Sequence, residues 1–217
     1  GGGGRGGGGR GAGGRGGGGA AGGGPQFYLL RLDASAPVAV SGTAPAFSAD
    51  GSMLAFIGRA GAENRLVIAP VADPSKETVV HAGTERIDAP AFSPDGKRLA
   101  FQMMAKEDWE IYTADIGGKE PQRVTREIQH DLLPRFLGPD TLLGMIGEAR
   151  HRRSHLHDLR TGKRTRVFHN NTVRTIAPEY EWVPSRDGTR VLIVAERDGD
   201  TVSPERGITV LPLSAME

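Results

Sequence analysis

The chain has 217 residues, 33 of them Gly and none Cys, and its 27 Lys plus Arg against 26 Asp plus Glu leave a formal net charge of +1. That length suits one sizeable domain, and the lack of Cys removes disulfides, zinc ribbons and a thiol nucleophile from consideration. No apolar run reaches the roughly 20 residues of a membrane helix, so no membrane insertion is expected.

Residues 1 to 24 hold 18 Gly and three Arg (Arg5, Arg10 and Arg15), which leaves the rest of the chain with 15 Gly and a net charge of −2. A tract with almost no side chains to bury cannot offset the roughly 1 to 2 kcal/mol per residue that ordering costs, so residues 1–25 are expected to be a Gly/Arg-rich disordered loop or linker. Arg-Gly-Gly segments that bind RNA interleave aromatics for base stacking, whereas the first aromatic here is Phe27. A near-neutral body also lacks the basic field that gathers phosphates, so no nucleic-acid partner is expected. The chain opens on Gly rather than Met and is expected to be part of something longer.

In chain order, Gln26 to Leu32 and Val38 to Ser41 read as two strands. They are followed by a repeat. Ala44-Pro-Ala-Phe-Ser-Ala-Asp-Gly51 precedes Ser-Met-Leu-Ala-Phe-Ile57, and Ala89-Pro-Ala-Phe-Ser-Pro-Asp-Gly96 precedes Lys-Arg-Leu-Ala-Phe-Gln102. Weaker copies start at Leu133 and Ala177, and the prolines Pro45, Pro90, Pro134 and Pro178 are spaced by 45, 44 and 44 residues. A fixed period of this length is that of a propeller blade.

Within the second unit, Pro90 to Ser93 reads as a short inner strand and Ser93-Pro-Asp-Gly96 as a tight turn: Pro presets φ, Asp bonds the local backbone, and Gly accepts positive φ. Lys97 to Met103 returns as a second strand, Lys106 to Asp108 is a polar hairpin tip, Trp109 to Ile116 makes a third strand and Gln122 to Arg126 a fourth. Asn64 to Ala69, His155 to Leu159 and Gly207 to Leu213 take the third-strand position of their own units. Asp50, Gly51, Asp95, Gly96, Asp187 and Gly188 are the expected structural turn residues. The expectation is an all-β fold, a β-propeller fragment of about four four-stranded blades, with units starting near 44, 89, 133 and 177. The two strands ahead of Thr43 then belong to a partial blade at the N-terminal end. An open arc of blades leaves uncovered faces, so such a chain is expected to associate.

The run Phe92-Ser-Pro-Asp-Gly-Lys-Arg-Leu-Ala-Phe101, with Glu110-Ile-Tyr112 and Gly117-Gly118 downstream, resembles the TolB-like, WD-repeat-like β-propeller repeat over residues 26–217. The third unit departs from it, with Asp140-Thr141 where the others have Asp-Gly, and the fourth carries an insertion before Asp187. The resemblance implies a propeller of more blades than are present, a periplasmic or secreted setting, and a protein-interaction role without catalysis. It also implies an alternative: an accessory or gating propeller of a secreted or periplasmic peptidase or hydrolase, whose catalytic domain lies downstream of this chain.

After Gly24 there is no Gly-x-Ser-x-Gly elbow, His-Glu-x-x-His helix or phosphate-binding loop, so no catalytic residues, cofactor or metal are expected. His155 and His157 share a strand face, but the reading preferred for Arg150 to Asp158 is a solvated basic hairpin with exposed histidines. Phe47, Phe92 and Phe136 recur at one position and are expected between blades, with Phe56 and Phe101 in the core. Trp109 is read as core, with a partner contact as the alternative. The link from each outer strand to the next inner strand returns toward the central axis. Its polar residues Arg86, Asp88, His130, Asp131, Glu179 and Glu181 are therefore the expected partner-binding set at a funnel mouth. Four carboxylates against one Arg and one His favour a protein or peptide offering basic groups.

Overall fold

The computed structural model describes residues 24–33, 35–118, 120–126, 128–147, 153–167, 179–185, 189–196 and 206–212. Among these residues every regular element is a strand. β1 (Gln26–Leu29) and β2 (Val38–Ser41) form a two-stranded antiparallel sheet. The first full blade is the meander β3 (Thr43–Phe47), β4 (Met53–Ala60), β5 (Glu63–Pro70) and β6 (Thr78–Gly83). The second is β7 (Arg86–Phe92), β8 (Arg98–Met104), β9 (Glu110–Asp115) and β10 (Gln122–Arg123). The third is β11 (Asp131–Gly138), β12 (Thr141–Ile146), β13 (Arg153–Asp158) and β14 (Arg164–Arg166). β15 (Glu179–Pro184), β16 (Arg190–Glu196) and β17 (Arg206–Pro212) form the fourth sheet, with three strands among the described residues. The architecture is the expected all-β propeller fragment: each repeat is one sheet, and the inner strands β3, β7, β11 and β15 lie against one another in that order.

The turn between the first two strands of a blade is built by its own short polar residues. In the second blade Ser93 Oγ donates to Asp95 Oδ1 at 2.6 Å, Lys97 N donates to the same oxygen at 3.1 Å, and Arg98 N donates to Ser93 Oγ at 2.9 Å. Gly96 closes it at φ 68°. In the first blade Ser48 Oγ, Asp50 and Met53 N repeat the arrangement at 2.5 and 2.9 Å, with Gly51 at φ 74°. Asp187 and Gly188 lie outside the described residues, but Arg190 N donates to Ser185 Oγ at 3.0 Å, the same wrap from the corresponding serine. In the third blade, which lacks the Asp-Gly pair, Asp140 serves another purpose. It pairs with Arg98 of the second blade at 2.9 Å, the Arg98 guanidinium also donates to Pro139 O, and its carbon sits 5.8 Å from the Phe136 ring centroid. That substitution converts a local turn into a clamp between blades.

The inner strands run further than their apolar cores imply. β7 begins at Arg86, β11 at Asp131 and β15 at Glu179, so residues read from sequence as links are already in strand. A bulge makes this possible. In the first three blades the residue before the repeated proline has positive φ, 51° at Ala44, 50° at Ala89 and 52° at Leu133, and the pairing register shifts there in each. Pro has no N–H to give the ladder, and a bulge at that point lets the strand continue past it.

The core lies between sheets. Ala55, Ile57, Leu66 and Ile68 of the first blade meet Phe92, Leu99 and Phe101 of the second. On the far side of the second blade, Ala100 and Ile111 meet Phe136 and Leu142 of the third. Phe27, Leu29 and Val40 of the partial blade meet Leu54, Phe56 and Val67 of the first. Phe56 and Phe101 are fully buried, as expected, and Phe92 and Phe136 are 9% and 5% exposed. Phe47 corrects the expectation at 56% exposed. It opposes Leu54 on the face toward the partial blade, where β1 and β2 are too few strands to reach over it.

Candidate functional site

Arg86 and Asp88 stand two residues apart on β7 and so project to the same side of the strand. Both are exposed, and both line a cavity of about 490 Å³ between the partial, first and second blades. Its wall is completed by Ser41 and Thr43 at the entrance to β3, Arg59 and Asn64 at the β4–β5 hairpin, and Trp109 beside the β8–β9 hairpin. In a meander the link into an inner strand and the hairpin between the second and third strands fall at the same end of the blade. The structure ties them together there: Asn64 Nδ2 donates to Glu85 O at 2.8 Å.

The Arg86 guanidinium carbon lies 5.2 Å from the Trp109 ring centroid. Trp109 is half-buried at the cavity rather than within the core, which corrects the core reading made from sequence. Its backbone also fixes the link into β11, because Trp109 N donates to His130 Nδ1 at 3.2 Å and Trp109 O accepts from Asp131 N at 2.8 Å. His130 Nδ1 is 3.4 Å from Asp108 Oδ1. Asp88 Oδ1 accepts from Ala89 N at 2.8 Å, which holds its carboxylate beside the bulge.

Of the expected partner-binding set, the structure brings Arg86 and Asp88 into one cavity and places His130 half-buried against the Trp109 backbone. Asp131 departs from the expectation. It has no exposed surface, because it stands two residues before the positive-φ Leu133, the inward-facing place that the buried Ile87 takes two residues before Ala89 in β7. Glu179 and Glu181 are in β15, and their side chains lie outside the described residues. Arg59, Asn64 and Ser41 were missed from sequence. The signal that finds them is positional: Ser41 is on the link into β3, and the β4–β5 hairpin that carries Arg59 and Asn64 shares an end of the blade with the incoming links.

The histidine-rich hairpin is also corrected. Residues 150–152 lie outside the described residues, and His157 is 6% exposed, turned between the second and third blades beside Gly144, itself close to Ile111. Burial first, then the nearby His155 and Arg164 charges, push its imidazole down to about 4, so it is neutral at physiological pH. No group of three or more His, Asp or Glu residues spaced for a metal ion occurs among the described residues. A second cavity of about 630 Å³, beside Lys106, Tyr112 and Ile128, includes Glu110 and Arg123, which form an ion pair with each other. Thr125 Oγ1 adds a hydrogen bond to the Glu110 carboxylate at 2.6 Å.

The family model of the TolB beta propeller domain matches residues 22–144. Among solved structures, the chain is similar to TolB from Acinetobacter baumannii at 18% identity and a TM-score of 0.65, covering 87% of this chain and 48% of that one. It is similar to a putative TolB from Agrobacterium tumefaciens at 20% identity and a TM-score of 0.56, covering 68% and 57%. It is also similar to a puromycin-hydrolyzing peptidase from Mycobacterium tuberculosis at 20% identity and a TM-score of 0.58, covering 85% of this chain and 30% of that one. The chain thus spans about half the length of the two TolB structures. No curated protein matches it.

Proposed function

Since the chain belongs to the TolB beta propeller domain family, we propose that it is a non-catalytic interaction module that binds a protein or peptide through the funnel mouth, in a periplasmic or secreted setting. The observation that carries the reading is the cavity at the blade ends, where side chains from three consecutive sheets converge although they lie far apart in sequence. Its size is that of a site for a few residues of a peptide, and strands β4, β5 and β7 position Arg59, Asn64, Arg86 and Asp88 in its wall. A second reading draws on the likeness to the puromycin-hydrolyzing peptidase: an accessory or gating propeller whose catalytic residues belong to another domain.

Selection of a displayed peptide library on the immobilised chain tests the first reading. Bound peptides should be lost when Arg86 and Asp88 are both changed to Ala and kept when Arg166, exposed on β14, is changed to Ala. Binding lost with Arg166→Ala and kept with the double variant moves the site to the blade rim and ends the proposal. A hydrolase domain encoded in the same reading frame would favour the second reading.

A further inference from the structure

The six residues expected at the mouth from sequence carry more acid than base, which calls for a basic partner. The structure redistributes those charges. Asp131 is withdrawn into the protein. Arg59, which sequence reading left out, joins Arg86 in the cavity wall, so the described lining has two guanidiniums and one carboxylate, Asp88. Neither Arg59 nor Arg86 makes an ion pair among the described residues, and both are exposed. Arg59 Nε donates at 3.3 Å to Gly61 O within its own hairpin, and Asp88 is engaged by the backbone N–H of Ala89. The described lining therefore carries a net charge of +1, with guanidinium donors to spare.

Arg86 is prepared for one kind of ligand. A guanidinium held against an indole face keeps its in-plane N–H donors at the edge, free to form two parallel hydrogen bonds, and loses less side-chain freedom when it does so. Planar bidentate donation matches a carboxylate. One carboxylate also balances a wall of two guanidiniums and one Asp, whereas a phosphate dianion would overcompensate it and meet Asp88 in the same space.

We infer that the mouth cavity captures a peptide carboxylate, an Asp or Glu side chain or a free C-terminus, through a bidentate contact with Arg86 assisted by Arg59. This rests on the reading of the mouth as the binding face, and it reverses the partner charge expected from sequence.

The test is the same peptide selection, read for composition and then by titration. Acidic peptides should be enriched, and a selected peptide should lose at least about tenfold in affinity when its carboxylate is replaced by the amide. Arg86→Lys should lose nearly as much as Arg86→Ala, because an ammonium keeps the charge but not the fork. Asp88→Asn should bind the acidic peptide more tightly, which also shows that the mouth still folds after substitution. Acetate should compete, and chloride at the same ionic strength should not. Mouth-dependent enrichment of basic peptides would overturn this inference and leave the binding face intact. Enrichment insensitive to every mouth variant, or none at all, would remove both. Competition by inorganic phosphate equal to that by acetate would show that the site reads charge alone, against the carboxylate fork.

Discussion

Phe47 and Phe92 occupy the same place in the same motif, Ala-Pro-Ala-Phe-Ser, yet one is 56% exposed and the other 9%. Local structure is not the difference, since the bulge before proline and the serine-aspartate turn are the same in both blades. The neighbour is the difference. Phe92 meets the complete first blade, and Phe136 meets the complete second one, while Phe47 faces a sheet of two strands. In a repeat whose core lies between units, the motif puts a phenylalanine on a face and the preceding unit determines whether that face is buried.

Truncation breaks this comparison with the largest effect. Phe92→Ala and Phe136→Ala should each cost about 3 to 5 kcal/mol, because each opens a cavity between two sheets. Phe47→Ala should cost less than about 1 kcal/mol, since little apolar area leaves contact. Urea midpoints of the three variants at constant denaturant slope measure both values.

Acid sharpens the same contrast from the other side. His157 is neutral between the second and third blades, with an imidazole pushed from 6.5 to about 4. The unfolded chain takes up the proton more readily than the folded one. Stability contributed by the neutral ring is therefore complete above about pH 6.5 and is lost as pH falls toward 4, by up to about 3 kcal/mol. Asp50, held near 2 by the Ser48 hydroxyl and by the Ser52 amide and hydroxyl, loses its own contribution only as the unfolded carboxylate takes up a proton, below about pH 5, and so adds little to the fall between pH 7 and 4.5. Urea midpoints of the parent chain should fall between pH 7 and 4.5, and His157→Leu should flatten that dependence.

The turn has a smaller and purely local cost. A methyl on Gly96 meets no atom within 4 Å, so Gly96→Ala should destabilise by about 1 kcal/mol through the positive φ alone. Gly51→Ala should cost the same within error, because the two turns are equivalent even though their blades are not equally covered. Smallest is the bulge. Ala89 at φ 50° is a left-handed alanine, and Ala89→Gly should stabilise by about 0.5 kcal/mol after the extra freedom of the unfolded chain is subtracted. A thermal melt that falls instead would show that the alanine methyl is wanted there.

Much of the fold was legible in the sequence because its signals are local. The period of the prolines set the blades, and Ser93, Asp95 and Gly96 announced their turn. The site was legible only in part. Arg86 and Asp88 line the cavity at the blade ends, whereas Asp131 takes the inward place in its strand that Ile87 takes in β7, an alignment that becomes legible only once the bulge before the proline is known. His157 was misread for the reason that misled at Phe47. Alternation along a strand gives the face, and only the preceding blade says whether that face is wet.

Cysteine labelling tests that claim most directly, since the chain has no Cys of its own. Phe47→Cys, Phe92→Cys and Phe136→Cys, prepared singly, should differ in their rate of modification by a small thiol reagent under native conditions. Cys at 47 should react nearly as fast as a free thiol, and Cys at 92 and at 136 at least about a hundredfold slower, because the sheets must part before they are reached. Equal rates at 47 and 92, in variants that both retain their strand signal, would contradict the account.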